Sequence, residues 1–233
     1  MTLQTLNEAA RLAALIEAEE RAFALFDAIE TSGLVSPGRT ERAVEQDIRV
    51  LAQEKFGVTK HWHKRVVRAG INTVTTATDN PPDRKIEDDD IVYIDLGPVF
   101  EEWEADVGRS YAIGSDPSKQ TLCSDLPKIF DAVRARFLAD SAITGAELYA
   151  FAHEEAERAG WLFGGKIAGH IVGEFPHAYV PGEKDHHRIN PVNPTPLREP
   201  DAFGRIRHWI LEIHLVSADR TFGGFYERLL RGD

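Results

Sequence analysis

The sequence predicts an α+β domain whose helices cover one face of a largely antiparallel sheet. Three observations support that class. The elements run helix, helix, strands and then helix, helix, strands again, a pseudo-twofold repeat of layout with no repeat of sequence. Helices and strands come in runs and do not alternate one by one, as they would around a parallel sheet. No GxGxxG or P-loop stands between a strand and a helix.

The first helix spans about Leu6 to Glu30. Leu12, Leu15, Ile16, Phe23, Phe26 and Ile29 recur there at helical spacing, and "TSGLVSPG" ends the run. The second lies in "TERAVEQDIRVLAQEKFG", with Thr40 as N-cap, Glu41 in the first turn and Gly57 as stop. "RVVRAGINTVTT" and "DIVYIDLGPV" read as strands. The "DNPPDRKIEDDD" between them is a solvated loop by its Pro and Asp content. Another strand pattern starts at Asp106. "SDPSKQTLCSDLPKIFDAVRARFLAD" is a turn followed by a helix through about Ala139. In "TGAELYAFAHEEAERAG", Thr144 and Glu147 hold capping-box positions and Gly160 is the stop. "HIVGEF", "RHWILEIHLVS" and "GGFYERLL" are strand-like again. The connection "VPGEKDHHRINPVNPTPLREPDAFG" holds five prolines, and a loop of that length in a compact domain is functional or disordered.

A chain of 233 residues, 42% apolar and 28% charged, suits a soluble globular protein with a well-buried core. The net charge of -11 argues against nucleic acid, which needs a basic stripe. The single cysteine, Cys123, excludes an internal disulfide and a CxxC site, and reads as a small packed residue. "MTLQTLNEAARLAALIEAEE" lacks the basic-then-apolar order of a signal peptide, and no apolar run approaches the roughly 20 residues of a membrane span. The expectation is a cytoplasmic protein without membrane contact.

Chemistry is signalled by carboxylates inside apolar strand patterns. Asp95 follows Ile91, Val92, Tyr93 and Ile94; Asp106 precedes "VGRSYAIG"; Glu212 lies in "WILEIHLV" and Glu227 in "GGFYERLL". Buried and unpaired, each would cost several kcal/mol. With few basic residues beside them, these four acids call for a metal, and His170 in "AGHIVGEFPHAYVP" supplies a nitrogen. Four carboxylates and an imidazole balance two divalent ions, and an oxygen-rich set of this kind favours Mn²⁺, Co²⁺, Fe²⁺ or Zn²⁺ at a catalytic centre. Two ions about 3.5–4 Å apart can hold a bridging hydroxide and polarise a carbonyl. Taken singly, each residue has a plainer reading. Asp95 could face water at a strand end, Glu212 and Glu227 could lie on a solvated face, and His170 could be a satisfied polar residue.

The set and its order resemble the pita-bread metallopeptidases, which include methionine aminopeptidase, aminopeptidase P, prolidase and creatinase-like relatives. "IDLGPVFEEWEADVGRSYAIG" looks like the family's first metal segment and "GHIVGEFPH" like its histidine segment, and the resemblance runs from about Thr40 to Leu230. It implies an antiparallel curved sheet with helices on one face. Residues 1–39 would be an N-terminal helical segment and residues 40–233 the catalytic domain, together one compact unit. It implies that Asp95 binds one ion and Asp106 bridges both, that His170 and Glu212 complete one shell, and that Glu227 bridges. His177 would contact the substrate carbonyl or tetrahedral intermediate. The bridging hydroxide would be the nucleophile, and Glu212 would carry the proton to the leaving amine. Mn²⁺ or Co²⁺ leads the candidate metals, ahead of Zn²⁺ and Fe²⁺.

Three departures bear on specificity. A substrate-contacting histidine that the family places ahead of its first ligand is missing from "NTVTTATDN", and His61 and His63 in "KHWHKR" are the candidates to replace it as substrate-binding groups; a surface position before the strand is the alternative. The first glutamate is followed by Ile213 and His214 where the family has Pro-Gly. His214 shares the strand face of Glu212, as a further catalytic group or as a histidine packed in the sheet. Glu212 and Glu227 are fifteen residues apart, a tight hairpin. The expected function is a dinuclear metal-dependent hydrolase of amide bonds, an exopeptidase on short peptides, within which an X-Pro preference is one option. The alternatives are the same centre acting on a non-peptide amide or modified amino acid, and a non-catalytic binding module. The N-terminal segment and the "HHRINPVNPTPLREP" loop are candidate homodimer contacts.

Overall fold

The computed structural model describes residues 7–177 and 180–232; the predicted helix start at Leu6 lies outside them. Helix α1 (Glu8–Thr31) begins at Asn7, whose side chain accepts from the Ala10 amide. Helix α2 (Glu41–Phe56) is capped by Thr40, which accepts from the Ala43 amide at 3.1 Å, and stops at Gly57 with φ of 66°, a left-handed conformation that glycine adopts without strain. Helices α3 (Pro117–Ala139) and α4 (Gly145–Arg158) follow, and α4 carries the complete Thr144–Glu147 capping box. These boundaries lie within a few residues of those the sequence predicts, because they are set by local capping chemistry.

The strands are β1 (Val66–Ala69), β2 (Ile91–Leu96), β3 (Val99–Phe100), β4 (Trp103–Glu104), β5 (Val107–Ala112), β6 (Leu162–Phe163), β7 (Gly169–Val172), β8 (His208–Val216) and β9 (Gly223–Leu230). Among the described residues, antiparallel pairing joins seven of them in the order β1-β2-β5-β9-β8-β6, with β7 also on β8, while β3 and β4 form a separate pair.

Alternation along the strands separates two faces. Val92, Ile94, Leu96 and Val107 point to α1 and α2, where they meet Ala22, Leu25, Phe26, Ile29, Val44 and Ile48. Trp209, Leu211, Ile213 and Leu215 point to α3 and α4, against Leu122, Leu126, Phe130, Val133 and Leu148. The helices therefore cover this side of the sheet, α1 shares a core with α2, and Leu15 near the start of α1 also packs with Val172, Ile210 and Leu229. The alternate positions, Tyr93 and Asp95 on β2, His170 on β7, Glu212 and His214 on β8 and Phe225 and Glu227 on β9, share the opposite face. No helix among the described residues is long and apolar enough to cross a membrane.

Two segments differ from the sequence expectation. "RVVRAGINTVTT" is strand only to Ala69, and Gly70 (φ 49°) turns the chain into a 3-10 helix over Gly70–Val74. Tertiary bonds hold that turn: the Gly223 amide donates to Thr73 Oγ1 at 2.7 Å, and the Thr73 carbonyl meets His214 Nε2 at 2.8 Å. "DNPPDRKIEDDD" is a loop, yet not fully solvated. Ile86 enters the α1–α2 core, and buried Asp90 is paired with Arg84 at 2.8 Å. The proline-rich connection is likewise anchored, with Ile189 and Leu197 buried in the α3–α4 core.

Trp209 joins these layers. It is 1% exposed and its indole N–H donates to the Leu197 carbonyl at 2.8 Å. Trp209→Ala is expected to cost about 3–5 kcal/mol, read as a lower midpoint in urea unfolding, while Trp103→Ala at a half-buried site costs less.

Candidate metal centre

Register brings the predicted acids into one line. Asp95 on β2 faces Gly108 on β5, Gly108 faces Glu227 on β9, and Glu227 faces Glu212 on β8. Gly108 is the gap in this row. A Cβ there would lie 2.5 Å from the Phe225 ring and 3.0 Å from Glu227 Cβ, so any side chain would enter the space where the carboxylates converge. Asp106 stands two residues before Gly108, on the same side. His170 pairs with Ile210, two residues from Glu212, and so points to the same place. Ser110 holds the row closed, donating to the Phe225 carbonyl and accepting from its amide, at 2.9 and 2.7 Å. Its neighbour Arg109 faces the other way, over Phe26 and against Glu30, tying β5 to α1.

Asp106 is the hub. Its Oδ2 lies 3.0 Å from His170 Nε2, and its Oδ1 lies 3.1 Å from His63 Nε2. His63 Nε2 is also 3.3 Å from Asp95 Oδ1, and His170 Nε2 is 3.7 Å from Glu212 Oε1. Potential ligand atoms of His63, Asp95 and Asp106 lie within 4.8 Å of one another, as do those of Asp106, His170 and Glu227. Asp95, Asp106 and Glu227 are 5%, 3% and 2% exposed, so water screens none of these charges.

The electrostatics are those of an anionic site short of positive charge. Burial and the neighbouring carboxylates push Glu227 well above the usual range, and burial raises Glu212 and Asp95 against the opposing pull of His170 and His63. Burial also acts to raise Asp106, but hydrogen bonds from His170 and His63 bring it below its ordinary value. Burial would depress both imidazoles, yet the carboxylates lift His63 to about 10 and His170 to about 9. Asp95 Oδ1 and Glu227 Oε2 are buried without a hydrogen bond. Orphaned carboxylate oxygens beside imidazole nitrogens fit divalent cations, which accept that donor set and neutralise it.

His177 borders the same space. Its ring stacks on His170 with centroids 5.6 Å apart, its backbone N–H donates to Glu104 Oε1 at 3.0 Å, and its Nδ1 meets Glu104 Oε2. Trp62 lies edge-on to His63, His170 and His177, at 4.4, 5.0 and 4.9 Å between centroids. Sequence reasoning misses both Glu104 and Trp62. Glu104 had a signal, since it precedes Asp106 by two residues and an extended chain aims both to one side.

The other candidates separate. His63 reaches the acids, although it precedes β1 and is not part of it. His61 pairs with Pro98 on the backbone, its Nδ1 is buried without a partner, and burial takes its pKa down to about 4. His214 is 3% exposed, bonded to Thr73 and packed edge-on against Tyr93 and Phe225, with no hydrogen bond or ion pair to the acids among the described residues. A cavity of about 310 Å³ opens beside His177, bounded by Val180, Asp201, Phe203, Arg205 and Arg207; the proline-rich connection thus forms one wall of it.

A model of metallopeptidase family M24 matches residues 13–203, a span holding Asp95, Asp106, His170 and His177 and ending before the two glutamates. Prolidase from Thermococcus sibiricus superposes with a TM-score of 0.71 at 20% identity, over 99% of this chain and 61% of its own. X-Pro aminopeptidase from Thermotoga maritima gives 0.71 at 19%, over 99% and 63%. Methionine aminopeptidase from Rickettsia prowazekii gives 0.65 at 14%, over 97% and 94%. At these identities the likeness is one of fold, the pita-bread fold, and the chain spans about three fifths of the first two structures. No curated protein matches the sequence.

Gly108→Ala is expected to destabilise the protein by about 1–3 kcal/mol, because the added methyl overpacks the row. Gly173→Ala, where a Cβ meets nothing within 4 Å, should leave the thermal midpoint unchanged.

Proposed function

Because the chain belongs to metallopeptidase family M24, we propose that it is a dinuclear metal-dependent hydrolase of amide bonds, an exopeptidase acting on short peptides. The observation that carries this reading is Asp106. Its Oδ1 meets His63 and its Oδ2 meets His170, and it belongs to both groups of potential ligands, one with His63 and Asp95 and one with His170 and Glu227. A carboxylate shared in this way suits a bridge between two ions. Asp95, Asp106, His170, Glu212 and Glu227 would hold them, with Mn²⁺ or Co²⁺ the leading candidates. Once bound, such ions supply Lewis-acid polarisation of a carbonyl and acidify water.

The chain's own groups orient and move protons. With Nδ1 donating to Glu104, His177 is held beside the cavity and has Nε2 as its remaining ring nitrogen. That nitrogen would contact a substrate carbonyl or a developing oxyanion. Glu212, 16% exposed at its side chain, would carry the proton to a leaving amine. The fold shared with prolidase and X-Pro aminopeptidase supports testing X-Pro bonds first.

A second reading keeps the centre and changes the substrate to a small amide carrying a carboxylate. Arg207 favours it, since two of its guanidinium nitrogens are buried without a hydrogen-bond acceptor beside the His177 cavity.

Protein purified without chelator should contain two divalent ions per chain. Stripping them should lower the thermal midpoint, and Mn²⁺ or Co²⁺ at 100 times its Kd should restore about 2.7 kcal/mol. A chain that binds no ion defeats the proposal. Asp106→Asn should cut kcat by more than about 100-fold, the upper end of the cost of merely outer-shell losses, with the circular dichroism spectrum unchanged. A screen of dipeptides, X-Pro peptides and acyl amino acids separates the two readings; cleavage confined to non-peptide amides would overturn the first.

A further inference from the structure

We infer that His63 is a metal ligand. Its Nε2 joins Asp95 and Asp106 around one ion, so that each of the two ions has an imidazole of its own. The inference rests on the dinuclear reading and adds to it, because the five-residue set contains a single imidazole, His170, and the sequence places His63 only against substrate.

Distance is the first argument. Donors in cis positions about an ion with bonds of about 2.1 Å lie about 3 Å apart. His63 Nε2 stands 3.1 Å from Asp106 Oδ1 and 3.3 Å from Asp95 Oδ1, matching the 3.0 Å between His170 Nε2 and Asp106 Oδ2. The second is the tautomer. A backbone carbonyl only accepts, and each of these imidazoles places Nδ1 against the carbonyl of its following residue: Lys64 at 2.6 Å for His63, Ile171 at 2.7 Å for His170. Each therefore carries a proton on Nδ1 and presents Nε2, the nitrogen that hydrogen-bonds Asp106, as the one an ion would bind in place of that proton, the usual arrangement of a ligating histidine.

His63 is also held rigidly. Residues around His63 are bonded to the segment that follows Asp95, through Trp62 N–H to the Gly97 carbonyl at 2.9 Å and Val99 N–H to the Lys60 carbonyl at 3.0 Å. The Trp62 indole donates to the carbonyl of Ala105, next to Asp106, at 3.2 Å. Gly97 makes the approach possible, since a Cβ there would fall 2.2 Å from the His63 ring. Two backbone bonds, one indole bond and an accommodating glycine hold one imidazole at two buried acids. A nitrogen on each ion also moves selectivity toward Co²⁺ and Zn²⁺ and away from Mn²⁺.

The test is Co²⁺ titration of the chelator-stripped full chain, followed by calorimetry and visible absorption, for wild type, His63→Ala, His63→Gln and His61→Ala. The wild type is expected to bind two Co²⁺. Both His63 variants are expected to hold one as before and to weaken the other at least about tenfold, with loss of part of the cobalt absorption. His61→Ala should match wild type. X-ray absorption on the wild type adds a measurement independent of any variant: one imidazole per cobalt is expected, against one per two cobalts for the five-residue set. Two tight Co²⁺ sites in both His63 variants with unchanged spectra would overturn the inference and leave the dinuclear reading standing. So would tighter binding, which marks His63 as a competing countercharge. A wild type that binds no Co²⁺ overturns both.

Discussion

The structure is organised by the burial of like charges: Asp95, Asp106, Glu212 and Glu227 converge on one face of one sheet. Carboxylates removed from water at such spacing repel one another and lack solvation, and a fold retains them only where something positive belongs. Two imidazoles supply part of that compensation through Asp106, and two carboxylate oxygens are left with no hydrogen bond. The helices, the glycine gap and the anchored loops can each be understood as holding this unfavourable arrangement in place.

The opposite face does the holding. Alternation sends Trp209, Leu211, Ile213 and Leu215 into the α3–α4 core while Glu212 and His214 point the other way, so one strand delivers both packing and chemistry. Helix α1 is bonded to the ligand-bearing strands as well as packed on them. Glu19 accepts from the Leu229 amide at 2.8 Å and Arg109 reaches Glu30 at 2.6 Å. His214, beside the acids in sequence, contributes through the Thr73 turn and the Tyr93–Phe225 cluster.

Much of this was legible in one dimension. Thr40, Gly57, Thr144 and Glu147 mark helix ends because capping is satisfied within a few residues. Asp95, Glu212 and Glu227 stand out because an acid inside an apolar strand is costly, and the resemblance in order assembled them with Asp106 and His170. What escaped was set across the sheet. The turn after Ala69 has a strand-like sequence, but bonds to Gly223 and His214 override that preference. Trp62 gave no sign that it would meet three histidines, and the spacing of Glu104 from Asp106 did not show that it would orient His177, because those contacts depend on residues far apart in the chain.

The sequence by itself determined the fold class, the helix boundaries and the five proposed ligands, since capping, periodicity and charge burial act locally or in a recognisable order. Tertiary structure alone decided which side chains share the space around them. It set Gly108 in the middle of the row, brought His63 to Asp95 and Asp106, and sent His61 and His214 elsewhere. The physical reason is register. Which residues face one another across strands follows from the packing of the whole sheet, and a span of one or two residues in sequence carries no record of it.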